Sequence, residues 1–174
     1  MKNKIAVLLA TWFGTGLIPP IILKGMAGTY GSLFSIPFVW AVLWLSGNIS
    51  SWIYQIFIFA IYFVGVWSVP IAERILGEQT DWKGKTKTRD QNQIVIDETL
   101  GMLVTCFALS FLDHFSILQL IIGFGFFRLF DIVKLWPTKY FDRMKTADGV
   151  MLDDVMAGIY ALACLQITTL IFNL

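Results

Sequence analysis

The strongest constraint on this chain's fold is a series of apolar stretches on the scale of a bilayer. A helix needs roughly 20 mostly apolar residues to cross the hydrocarbon core. Trp52–Ala72, "WIYQIFIFAIYFVGVWSVPIA", meets that length outright, and Leu33–Gly47 is apolar but shorter. Three further stretches reach it only if charged residues are counted inside them. They are Ile94–Leu112 with Asp97 and Glu98, Phe115–Val133 with Arg128 and Asp131, and Val150–Phe172 with Asp153 and Asp154 in its first turn. The chain is 57% hydrophobic and 14% charged, with a mean hydropathy of +0.71. Soluble domains carry about 25% charged residues, so polar surface is too scarce here for a water-soluble globule. The expectation is one all-α domain over residues 1–174, a polytopic membrane helical bundle of about five spans.

Lysine and arginine placement predicts the orientation, because loops on the cytoplasmic side are enriched in both. Glu73–Gln93 holds Arg74, Lys83, Lys85, Lys87 and Arg89, and the loop after Val133 holds Lys134, Lys139, Arg143 and Lys145. The turns Gly47–Ser51 and Asp113–His114 hold neither residue type, so they belong on the far side. Lys2 and Lys4 also favour the cytoplasm. Five spans then leave Ile5–Leu23 as a re-entrant or interfacial segment, and Gly14, Gly16, Pro19 and Pro20 suit a broken helix there. The alternative is a sixth span with an outside N-terminus. The start resembles a signal peptide, but without a small-x-small cleavage pattern it is expected to remain.

On this topology the acids collect at one depth. Asp97 and Glu98, Asp131, and Asp153 and Asp154 fall just inside the cytoplasmic ends of three helices, with Arg128 one turn from Asp131 on the same face. Ionised groups within a span are costly. Each N-terminal pair, taken alone, is equally well read as acids favoured by a helix dipole. That reading fails for Asp131, at a helix C-terminal end, which needs a cation nearby: Arg128, Lys134 or a metal ion. Carboxylates without His or Cys suit Mg²⁺ or Ca²⁺, not zinc. The sole histidine, His114, is expected at the opposite end, and Cys106 and Cys164 read as small buried hydrophobes. Gly101, one turn beyond Asp97, is expected to leave space beside that acid for an ion or a phosphate.

A second feature is "AGTYGSL", Ala27–Leu33. Gly28, Thr29, Gly31 and Ser32 open an apolar helix, where backbone N–H groups can cradle a phosphate, with Lys24 close by in sequence. Such turns are commonly turns and nothing more. Lys85, Lys87 and Arg89 mark the inside loop and are also suited to anionic lipid headgroups. A net charge of +1 gives no pointer to nucleic acid, and no such partner is expected.

The blocks "LATWFGTGLIPP", "GTYGSLFSIPF", "IVIDETLGMLVT", "GFFRLFDIVKLWP" and "FDRMKTADGVMLDDVMAGIYA" run in order from Leu9 to about Ala161. In that order they resemble the phosphatidylglycerophosphatase A family. The resemblance implies a Mg²⁺-dependent lipid phosphatase of the bacterial inner membrane, which hydrolyses the terminal phosphate monoester of phosphatidylglycerophosphate to phosphatidylglycerol. One departure is Ala27, where the family's turn usually has Pro before Gly-Thr. The site then expected has Asp97, Glu98, Asp131 and Asp154 as ligands of one or two Mg²⁺, and Asp153 as a further ligand or general base. Arg128, Lys134 and Lys24 would neutralise phosphate charge, and Gly28, Thr29, Gly31 and Ser32 would hold its oxygens.

Other phosphatase chemistries lack their residues: there is no CxxxxxR loop and no Asp-x-Asp-x-Thr motif. An aspartyl-phosphate route through one of the acids stays open. The rival class is a cation-coupled transporter using the same intramembrane carboxylates. It requires acids near the midplane of both halves and an internal repeat. "DETLG" and "DDVMAG" are too faintly alike to supply one.

Overall fold

The computed structural model describes residues 2–18, 27–80, 86–88, 91–112 and 114–174. Lys24 and Asp113 lie outside them. Helices dominate: α1 (Lys2–Ala10), α2 (Ala27–Asn48), α3 (Trp52–Leu76), α4 (Ile96–Thr105), α5 (Ile117–Val133), α6 (Thr138–Asp142) and α7 (Ala147–Phe172). Two residues in each of β1 (Gln79–Thr80) and β2 (Thr86–Lys87) pair antiparallel in the loop after α3.

The long helices turn outward large apolar side chains that a soluble bundle would bury. Trp40 and Trp44 on α2, Phe59 and Phe63 on α3, and Leu170 and Ile171 on α7 point outward and are exposed. Inside, small polar residues such as Ser32, Ser35 and Ser68 lie between the helices. Small residues let membrane helices approach closely when the surrounding lipid is as apolar as the side chains. α2, α3 and α7 are each long and apolar enough to cross a membrane. α5 has 17 residues and starts from a full capping box, Ser116 with Gln119.

Two expectations change. Ile94–Leu112 is not one continuous helix. α4 has ten residues, a rise of about 15 Å, and the chain continues as a 3-10 turn over Phe107–Phe111. Every residue of α4 is buried. It is the axis of the bundle, packed among α2, α3, α5 and α7. Its side chains have no lipid-facing stripe, so hydropathy alone could not mark its ends. Second, Asp153 and Asp154 are not first-turn acids. α7 begins at Ala147, with Thr146 as its N-cap, so they sit about two turns in. The dipole explanation does not reach them, because that effect fades within the first turn.

At the N-terminus, α1 spans nine residues, well short of a crossing. Its backbone then breaks, with left-handed conformations at Trp12, Phe13 and Gly14. The Ala10 carbonyl accepts a hydrogen bond from Val95 N–H at 3.0 Å. This ties the segment to the end of the bundle where α4 starts. The rest of the expected re-entrant element, Pro19–Leu23, lies outside the described residues.

Candidate active site

Three helices deliver charge to one end of the bundle, and a fourth frames it. α4 brings Asp97 and Glu98 in its first turn, each 9% exposed. α5 brings Arg128 and Asp131 in its last two turns, and α7 brings Asp153 and Asp154, 7% and 4% exposed. α2 contributes its N-terminal turns. Asp154 lies within electrostatic reach of four other carboxylates, those of Asp131, Asp97, Asp153 and Glu98. Residues 97 to 154 therefore converge although more than fifty positions separate their ends.

Two cations stand among these acids. Arg128 Nη1 lies 3.0 Å from Asp131 Oδ2, across one turn of α5, and 3.6 Å from Glu98 Oε1. It also donates to Ser32 Oγ at 3.2 Å. Arg128 thus supplies a cation beside Asp131 at its helix C-terminal end. Lys134 serves elsewhere: its Nζ lies 2.9 Å from Asp153 Oδ2 and also pairs with Asp142. Burial opposes the ammonium charge, but Asp153 and Asp142 outweigh it and hold Lys134 above the usual lysine range. Lys134 caps α5 in the left-handed conformation, φ +47°. That turn swings its side chain back toward α7.

The glycine turn is helical. Gly28, Thr29, Gly31 and Ser32 lie in the first two turns of α2, and Ser32 Oγ donates to the Gly28 carbonyl at 2.8 Å. What rests against the two glycines is the carboxylate of Glu98. A methyl group on Gly28 would overlap Glu98 Oε1 and come 3.2 Å from Arg128 Nη2. One on Gly31 would overlap Oε2 and come 2.5 Å from Val95 Cβ. The glycines expected to receive a phosphate have an internal anion, the Glu98 carboxylate, against them.

Gly101 also differs from expectation. There is no space beside it: a methyl group there would strike the Phe127 ring and lie 3.0 Å from the Asp154 carbonyl. One on Gly158 would lie 2.6 Å from the Gly101 carbonyl. These two glycines let α4 and α7 touch backbone to backbone. That contact, not an open pocket, sets Asp97 and Asp154 at the same depth.

The sequence reading missed Asp142. It shares Lys134 with Asp153 from the short helix α6, and its only signal was an acid in an otherwise basic loop. His114, at the opposite end, precedes α5 and is exposed.

The donor set can be tested against a metal. The five clustered carboxylates, with Asp142, face two cations among the described residues, Arg128 and Lys134, and all donors are hard oxygens, which suits a divalent cation such as Mg²⁺. Among the described residues, no three acids converge on a single point. Mg²⁺ does not demand that, since it is usually held by one or two carboxylates with substrate phosphate oxygens completing its shell. Arg128 Nε is buried and has no hydrogen-bond partner among the described residues, which leaves a donor for an anionic ligand.

Comparisons with known proteins place the chain in a family. The family pattern of phosphatidylglycerophosphatase A matches residues 8–169. A phosphatidylglycerophosphatase A of Escherichia coli (strain K12) is 33% identical over 153 residues, covering 87% of this chain and 76% of that protein. One from Haemophilus influenzae is 34% identical over 155 residues, covering 88% and 82%. A relative from Bacteroides thetaiotaomicron, whose name proposes a phosphatidylinositol-3-phosphatase, is 30% identical over 159 residues, covering 90% and 89%. No solved structure matches the chain. The charged cluster and its glycine turn lie within the matched region, and the chain belongs to the phosphatidylglycerophosphatase A family of phosphatases.

Proposed function

We propose that this protein hydrolyses the terminal phosphate monoester of phosphatidylglycerophosphate, releasing phosphatidylglycerol and inorganic phosphate at the cytoplasmic face of the bacterial inner membrane. The observation that carries this reading is the convergence of Asp97, Glu98, Asp131, Asp153 and Asp154 with Arg128 at one end of an apolar bundle. A lipid headgroup reaches that level while its acyl chains stay beside the exposed apolar faces of the helices. The lysine and arginine bias of the two long loops in the sequence supports a cytoplasmic orientation. α2, α3 and α7 are each long and apolar enough to cross, and in a five-pass reading α5 and the broken segment of α4 with its 3-10 turn would supply the other two passes.

The reaction requires water to attack phosphorus in line with the bond to the glycerol oxygen. That bond breaks, and the leaving oxygen takes up a proton. Arg128 binds and orients the phosphate, since a planar guanidinium matches phosphate oxygens and its Nε is available. The first turn of α2 offers further N–H donors at the positive end of a helix dipole. Asp153, held by Lys134, is the base that accepts the proton of the attacking water. Asp97, Glu98, Asp131 and Asp154 would hold Mg²⁺, which would supply neutralisation of phosphate charge in the transition state.

The test is phosphate release by purified protein in detergent, with Mg²⁺ and then with EDTA. Phosphatidylglycerophosphate and phosphatidylinositol 3-phosphate would be compared as substrates, because relatives carry both names. Release from the first, abolished by EDTA, is the expected result. No release from either lipid by folded protein would refute the proposal.

A further inference from the structure

We infer that Glu98 is the resident anion of the phosphate seat, and that the substrate's phosphate binds by displacing it. This rests on the phosphatase reading above and adds a step to it. The seat consists of Gly28 and Gly31 in the first turns of α2 and the guanidinium of Arg128. In the structure the Glu98 carboxylate fills it, too close to both glycines for even a methyl group to fit. A phosphate is larger than a methyl group, so carboxylate and phosphate exclude each other there.

The two anions also call on the same groups. Arg128 Nη1 lies 3.6 Å from Glu98 Oε1, while its buried Nε has no partner among the described residues. A carboxylate thus engages only part of a donor set that a phosphate, with more oxygens, engages more fully. Once displaced, Glu98 must carry its charge toward Asp97, Asp131 and Asp154, already a surplus of anions. That move is favourable only when a cation is present. Emptying the seat is thereby coupled to divalent cation binding: the empty enzyme keeps its seat closed, and phosphate and cation bind with mutual reinforcement.

The experiment measures binding of inorganic phosphate to the full chain in detergent by isothermal titration calorimetry, with and without Mg²⁺. Wild type, Glu98→Gln and Glu98→Asp are compared. Glutamine keeps the shape without the charge, and aspartate keeps the charge but is too short to reach the seat. Without Mg²⁺, both variants should bind phosphate about tenfold more tightly than wild type, the size expected from removing one competing charge–charge contact. Mg²⁺ should tighten phosphate binding by wild type and have a smaller effect in Glu98→Gln, even though that variant turns lipid over more slowly. If neither variant gains affinity, or Mg²⁺ leaves wild-type affinity unchanged, the displacement step is wrong; continued hydrolysis of phosphatidylglycerophosphate by wild type would then leave the functional reading intact. If wild type neither binds phosphate nor hydrolyses the lipid, both fall.

Discussion

Arg128 reaches forward one turn along α5 to place its Nη1 3.0 Å from Asp131 Oδ2. This pair is the hinge of the site, because the same guanidinium also meets Glu98 on α4 and Ser32 on α2. A lysine at position 128 would keep the charge but would lose the planar guanidinium, and with it the buried Nε donor left for a ligand. Arg128→Lys should lower kcat/KM for lipid phosphate by about 100-fold, in the range seen when one transition-state donor is lost. Phosphate-release kinetics, with circular dichroism to confirm folding, measure this. A loss under about threefold would remove Arg128 from the site.

Asp97 and Asp154 come from different helices to one depth and are proposed to share the cation. Asp97→Asn and Asp154→Asn should each reduce turnover by about 1000-fold or more while the bundle stays folded. His114→Ala, at the far end of α5, should be close to silent. Turnover near wild type in either Asn variant would exclude that residue as a ligand.

The contact of α4 with α7 leaves no room for a side chain. Gly158→Ala would push a methyl group to 2.6 Å from the Gly101 carbonyl, and backbone cannot swing aside. The expected cost is about 2 kcal/mol, typical of overpacking, and activity should fall with it as Asp154 moves. Gly125, also helical, has nothing within 4 Å of an added methyl. Gly125→Ala should be neutral or stabilising by up to about 1 kcal/mol. Thermal melts of the two variants in one detergent would separate them, and equal melting temperatures would count against the close crossing.

Lys134 ties α5 to α6 and α7 through Asp142 and Asp153. Its pKa is raised in the folded protein, so the stabilisation is fully present below the ordinary lysine value of 10.5 and fades only as pH rises past it. Lys134→Met should therefore lower stability by about 2 kcal/mol, with a deficit that stays constant between about pH 7 and about pH 9. Melting curves across that range test it. A deficit that vanished by pH 9 would mean the ammonium is not held as the geometry indicates. Asp142→Asn should show a smaller deficit, since Asp142 is the more exposed of the two partners.

Several properties were legible in the sequence because they depend on neighbours along the chain. Apolar length marks α2, α3 and α7, lysine and arginine bias marks the loops, and the three-residue spacing of Arg128 and Asp131 places them on one face. The same local logic went wrong where length was taken from hydropathy. α4 is buried on all sides, so its ends carry no change of composition, and the true start of α7 depends on the Thr146 cap.

Tertiary structure alone decided which charges meet. Lys134 could have paired with Asp131 from its position in the sequence, but its left-handed turn sends it to Asp153 and Asp142. Gly101 could have bordered a void, but Phe127 and α7 fill that space. The glycines of α2 could have stood open to a phosphate, but Glu98 lies against them. The sequence by itself determined an apolar bundle with acids at one end, because burial in a membrane is a property of each segment. The partner of each acid is a property of how helices cross, and the crossing is set by contacts between residues far apart in the chain.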